Sequence, residues 1–174
     1  MPVRAHHGVS PEIHPSAFVA EGALVIGAVE VGEEASIWFN AVLRGDINRI
    51  TIGKRANIQD AAVVHVTDEY PVTIEHDVTI GHGAIIHGCT IESCALIGMG
   101  AIILDNARVR RSAIVAAGAV VRENAVVPEG TLVAGVPARV VRPVTEVERR
   151  QLLESAGHYV RYARTYSPES TVEK

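Results

Sequence analysis

Aliphatic residues return at every sixth position through most of this chain. Ile13, Val19, Val25, Val31, Ile37 and Leu43 are spaced by six without a break. Ile52, Ile58 and Val64 resume the period, as do Ile74, Ile80 and Ile86. The longest run is Ile91, Ile97, Ile103, Val109, Val115, Val121, Val127 and Val133. A period of six matches neither the 3.6 of a helix nor a hairpin array, and hexapeptide self-similarity is the mark of a parallel β-helix. Each unit supplies one short strand and a corner, with the aliphatic side chain inward. Gly32, Gly53, Gly81 and Gly98 follow it, where the chain is expected to turn. Three units close a triangular coil, and residues 13–140 then make about seven coils, a prism on the order of 34 Å long. The spacing predicts an all-β fold but leaves the hand of the winding open.

After Pro143 the pattern changes. Thr145 and Glu148 match a capping box, and Leu152, Leu153, Ala156, Tyr159, Val160 and Ala163 fall on one helical face. The chain therefore divides into a β-helix domain over 1–143 and a C-terminal segment over 144–174. That segment carries a helix lying along the prism or covering its end. Residues after Ser167 read as frayed and disordered.

Composition narrows the function more than the fold. A net charge of −4 carries no footprint for nucleic acid. The first eight residues lack the apolar stretch of a signal peptide, and nothing approaches a membrane span. Cys89 and Cys94 are the only cysteines, and a disulfide between them is unneeded. A reduced, cytoplasmic setting is expected. His6, His7 and His14 stand in a leader with no repeat phase and read as solvated loop residues.

Interruptions of the repeat mark the functional region. Leu43 to Ile52 spans nine residues and holds Arg44-Gly45-Asp46 and Ile47-Asn48-Arg49. Val64 to Ile74 spans ten, with a short loop near Thr67-Asp68-Glu69-Tyr70-Pro71. Ile86 to Ile91 spans five, one short, around Gly88-Cys89. Loops set on a rigid scaffold are the usual place for function. His65 and His87 each follow an inward aliphatic, and their separation of 22, less the four-residue loop, is one coil. They should stack outward on one face, a rung apart. His82 follows Ile80 by two and belongs around a corner. A second subunit related by a threefold axis could bring its own His82 to the pair, which predicts one metal at each interface of a homotrimer. Three imidazoles with an open fourth position suit catalytic zinc, and equally Fe2+, Co2+ or nickel.

At these residues the chain resembles the γ-class carbonic anhydrase family in its short-loop bacterial form, over essentially its whole length. The resemblance is carried by Arg44-Gly45-Asp46, Asn57-Ile58-Gln59-Asp60, Val64-His65-Val66-Thr67, Gly81-His82 and His87-Gly88-Cys89. It implies a left-handed winding, His65 and His87 as ligands from one subunit, and His82 as the ligand from its neighbour. It implies that Gln59 hydrogen-bonds the metal-bound water or hydroxide and that Asn57 lines the site. Arg44 and Asp60 match a pair at the subunit contact, Asp46 a carboxylate near the site, and Tyr159 a tyrosine over the pocket. The implied reaction is reversible hydration of CO2 to bicarbonate. The family's active pattern carries a glutamate after the aspartate of the Arg-Gly-Asp corner, where this chain has Ile47. It also carries an acidic shuttle in a long loop, where this chain offers only Asp68 and Glu69. Val133-Ala134-Gly135-Val136-Pro137-Ala138-Arg139 looks like the closing turn of hexapeptide acyltransferases, so an acyl-group enzyme or acyl-CoA thioesterase is the competing reading. A metal-binding or assembly subunit without turnover is the third.

Overall fold

The structure is a computed structural model, and it describes residues 2–166. The frayed end expected after Ser167 lies outside them. The chain winds into a parallel β-solenoid of about seven turns, followed by one helix. Its three flat faces are here numbered in the order in which the chain meets them from Leu24. The first face carries residues 24–27, 42–45, Val63–His65, Ile85–His87, Ile102–Ile103 and Val120–Val121. The strands Leu24–Val31 and Val42–Ile52 run around a corner onto the second face, which ends at Val126–Val127. The third face runs from Phe18–Val19 to Thr131–Ala134.

The six-residue period sets this architecture through burial. Ile37, Ile58, Ile80 and Ile97 stack in register on the third face, and each is fully buried. Full burial of one such side chain is worth roughly 1.5–3 kcal/mol. Two residues before most of these aliphatics sits a second inward column, of small residues. Ala56, Ala84, Ala95, Ala101, Ala113 and Ala119 are all buried there. Cys89 occupies the same phase before Ile91, which explains its burial, and that burial pushes its thiol up to about 12. Both cysteines are free.

The glycines after the aliphatics have a different cause from the one expected. Gly53, Gly81 and Gly98 do not occupy the left-handed backbone region. They stand where adjacent coils touch: a Cβ on Gly98 would come 2.4 Å from the Ala117 nitrogen, and one on Gly81 2.7 Å from the Met99 nitrogen. The sharp bend falls two residues further on, at Arg55, Gly83 and Gly100, all with positive φ, and Glu34, Asp77, Cys94 and Ser112 take the same conformation.

The stack stops at its far end because the chain reverses. After Thr131–Ala134 the strand Arg139–Pro143 pairs antiparallel with it, and all five of its residues are exposed. Helix α1 (Glu146–Thr165) then runs back along the outside of the third face, started by the expected capping box of Thr145 and Glu148. Leu152, Ala156 and Ala163 are its buried residues, and Ser155 meets Thr79 across 3.3 Å. Leu153 does not belong to this face: it is exposed, since its neighbour Leu152 already takes the inward angle. Near the C-terminal end of α1, Trp38 receives Tyr159 and Tyr166 edge-on, with centroids at 5.4 and 5.6 Å.

The N-terminal leader is also more ordered than its lack of phase suggests. Val3–Arg4 and Glu12–Ile13 both pair parallel with Leu24–Val31, and His6 and Val9 exchange backbone hydrogen bonds. No helix among the described residues is long and apolar enough to cross a membrane.

Candidate metal centre

The three irregularities of the repeat meet at one corner, between the first and second faces. The extra residues after Gly45 bulge outward, and the pairing shifts register there between Gly27 and Val29. Asn48 in this bulge donates to the carbonyls of Thr67 (3.0 Å) and Asp68 (3.1 Å), bracing one inserted loop against the other. The shortened unit closes at Gly88, whose φ is +49°. A Cβ there would press on Asp105 Oδ1 at 2.9 Å and Tyr70 Cβ at 3.1 Å. The absence of a side chain on Gly88 therefore makes room for Asp105 and for the second loop.

Within this frame His65 and His87 are register partners on adjacent coils of the first face. His65 Nδ1 lies 3.1 Å from His87 Nε2. The outer nitrogens are held by carboxylates: His65 Nε2 donates to Asp46 Oδ1 at 3.0 Å, and His87 Nδ1 to Asp105 Oδ1 at 2.5 Å. Two neutral rings held in this way turn lone pairs toward one another, an arrangement that a shared cation relieves. Two imidazoles on one tetrahedral zinc, at roughly 2.0–2.1 Å each, have nitrogens roughly 3.3 Å apart. The donor pair thus fits a divalent metal, and both rings carry the outer carboxylate that orients metal-bound imidazole. Burial works to raise the Asp46 carboxyl, but hydrogen bonds from Arg44 and His65 outweigh it and hold the group below its ordinary range.

His82 stands elsewhere, on the corner between the third and first faces, with Nδ1 2.7 Å from Asp60 Oδ2. Gln59 precedes Asp60 on this corner and donates to Asn57 Oδ1 at 3.1 Å, while Asn57 donates to Thr79 Oγ1 at 3.0 Å. Both amides are buried. Tyr159 joins this group and not the His65–His87 pair: with Trp38, Phe39, Asp60 and His82 it lines a pocket of about 400 Å3. Burial first, and the Asp60 charge second, push its phenol up. Arg44 pairs with Asp46 and Asp60 with His82, so Arg44 and Asp60 are not partners within one chain. Asp68 and Glu69 are exposed on the second loop.

One chain therefore presents two separate sets of groups. Asp105 is the site residue that sequence reasoning missed; its separation of one coil, eighteen residues, from His87 was the available signal. The expected histidines are not the nearest grouping in a single chain. Among the described residues, His76, Asp77 and Cys94 bring their ligand atoms within 4.8 Å of one another at the opposite corner. There Arg55 grips both oxygens of Asp77 at 2.7 and 2.6 Å, and burial pushes the Cys94 thiol up. That cluster is the inner part of an ion-pair ladder.

The first face also carries an outward aliphatic column beside the histidines. Leu24, Val42, Val63, Ile85, Ile102 and Val120 follow one another in register. Val63 is 39% exposed and Ile85 40%.

These features define a hexapeptide-repeat solenoid, and comparison with known proteins agrees. The chain is 50% identical over 147 residues to a probable carbonic anhydrase of Methanocaldococcus jannaschii, covering 84% of this chain and 92% of that protein. It is 49% identical to a carbonic anhydrase of Geobacillus kaustophilus, over 92% of this chain and 88% of the relative. Among mitochondrial γ carbonic anhydrases of Arabidopsis thaliana, one is 42% identical over 93% of this chain and 60% of its own length. The chain belongs to the γ-class carbonic anhydrase family. Solved structures extend the likeness under other names. A hexapeptide transferase family protein of Anaplasma phagocytophilum superposes with a TM-score of 0.92 at 41% identity, over 95% of this chain and 98% of that one. A Bacillus cereus protein whose name suggests an acetyltransferase gives 0.93 at 41%, over 94% and 95%. No family model matches the chain.

Proposed function

We propose that this protein hydrates CO2 reversibly to bicarbonate at a divalent metal, zinc or alternatively Fe2+ or Co2+, in the cytoplasm. His65 and His87 of one subunit and His82 of its neighbour hold the metal in a homotrimer. The observation that carries the reading is the pair of imidazole nitrogens facing one another at 3.1 Å, each ring backed by a carboxylate. The aliphatic column supports the trimer, because it offers the neighbour an apolar face beside the two ligands. Bound there, a divalent cation supplies a Lewis acid and an acidified water at neutral pH, as the metal of carbonic anhydrases does. The chain's own groups orient and exclude. Asp46 and Asp105 fix the ring planes of His65 and His87. Thr79, Asn57 and Gln59 form a relay that sets the Gln59 amide beside the corner of His82, where it can position a substrate oxygen. In this reading Arg44 and Asp60, unpartnered with each other inside one chain, pair across the contact. Tyr159 and Trp38 wall the pocket next to His82.

Metal analysis of tag-free protein, followed by CO2 hydration with each metal restored, tests the reaction. Mixing His65→Ala with His82→Ala chains tests the division of ligands, since each variant alone lacks a donor while the mixture rebuilds intact centres. No regained metal binding on co-refolding would overturn this division of the ligands between chains. The names of the solved neighbours favour a second reading, acyl transfer, with hydrolysis of the same acyl thioesters as its variant. Acyl-CoA hydrolysis by metal-replete protein that is inert toward CO2 would replace the first reading with this one.

A further inference from the structure

The following rests on the reading of the site as a CO2 hydrase. One CO2 and one water give one bicarbonate and one proton, so every turnover must pass a proton to solvent through a group that takes and releases it near neutral pH. We propose that the N-terminal histidines His6 and His7 are the exit for that proton. Imidazole is the side chain whose ordinary protonation changes near neutral pH, and the fold brings this pair to the metal corner. The strand Val3–Arg4 lies beside Val25 and Ile26, and the turn from His6 to Val9 folds over the bulge. A Cβ on Gly27 would sit 3.4 Å from His6 Cβ, and Gly27 is the register partner of Gly45, next to Asp46. His6, His7, Asp46, Ile47 and Arg49 line a single open pocket of about 470 Å3. The wall of that pocket reaches the ligand pair, because Asp46 Oδ1 is 3.0 Å from His65 Nε2.

The two rings meet edge-on at 4.3 Å; His6 is half-buried and His7 exposed. One is an inner acceptor and the other faces bulk water. The charged groups that line the pocket with them come from the bulge: Asp46, whose carboxylate is paired with Arg44, and Arg49. Leu24–Val31 contributes uncharged Ala28, and the leader itself adds Val9. In each cycle a water of the pocket gives the released proton to a ring nitrogen of His6. His7 or a buffer base then removes it, which restores the neutral ring. Only O–H and N–H bonds change.

The test is the double variant His6→Gln/His7→Gln in the metal-replete enzyme, with folding checked by circular dichroism. At saturating CO2 and low buffer its kcat should fall about tenfold or more, on the scale of positioned acid–base groups. Its kcat/KM should stay that of the parent, and added imidazole should restore kcat. An unchanged kcat at low buffer, or a parallel fall in kcat/KM without rescue, overturns the proposal while leaving the hydrase reading intact. A parent protein without hydration at any buffer concentration overturns the hydrase reading, and this one with it. A second readout needs no turnover. In metal-free protein, Asp46→Asn should displace the His6 ring-nitrogen signals in nitrogen-15 NMR, and unmoved signals would show that the two groups do not share the pocket and overturn the proposal.

Discussion

Asp105 shows how one side chain can govern a centre it does not bind. It stands one coil beyond His87 and takes that ring's Nδ1–H at 2.5 Å, leaving Nε2 to face His65. Asp105→Asn keeps the volume but removes the charge and the acceptor preference, so the ring loses its fixed tautomer. Metal affinity should drop by about tenfold to a hundredfold, the usual effect of removing such a partner. Chelator competition would measure it, and an unchanged affinity would return Asp105 to a packing role. Glycines give a second prediction at this scale. In Gly98→Ala the new Cβ meets backbone of the next coil at 2.4 Å, so a loss of about 1–3 kcal/mol is expected from overpacking. Gly100→Ala has open space around it and only a left-handed φ of +65° to satisfy, about 1–2 kcal/mol. Calorimetric melting of the two variants should rank them in that order, and equal losses would mean that the coils can part to admit a methyl.

Helix α1 and the loops belong to the scale of elements. Glu148 accepts from Arg142 and from the Thr145 backbone and hydroxyl, which together lower its carboxyl from 4.5 to about 2. A depressed carboxyl contributes stability that is complete above the ordinary value and is lost as pH falls through the folded one. The start of α1 should therefore loosen between pH 4.5 and about 2. Far-ultraviolet circular dichroism reports it, because the first turn of the chain's one helix is what frays. Glu148→Gln should remove this share of the transition, and an identical acid profile would assign it to other carboxylates. The elements also show what could be read from sequence. The phase of His65 against His87, and of His82 around a corner, was legible because a rigid period is a ruler. The capping box was legible because it is local. The contact of the leader with the Asp46 bulge was not, since residues 2–12 have no phase from which to measure. The role of Gly53, Gly81 and Gly98 was misread for a related reason. Composition reports that a Cβ is absent, while only the stacking of coils tells what it would strike.

At the scale of the whole molecule, each face has its own use. The third is covered by α1, the second carries ion pairs such as Arg108 and Arg110 on Glu92, and the first presents aliphatics. Ile85→Asp puts a charge in the middle of that aliphatic column while leaving the inward stack untouched. It should yield a folded monomer without bound metal, seen by sedimentation velocity and metal analysis. A variant that sediments with the parent would move the contact off this face. The antiparallel strand Arg139–Pro143 has a consequence of another kind. A parallel stack of coils is an open template, and each free edge invites another chain to continue it, which is how fibrils grow. Here the last strand runs against the grain of the stack and ends in Arg142 and Pro143, with nothing buried to extend. The third face is thereby closed to continuation at this end, because a strand of opposite direction offers no parallel rung to extend.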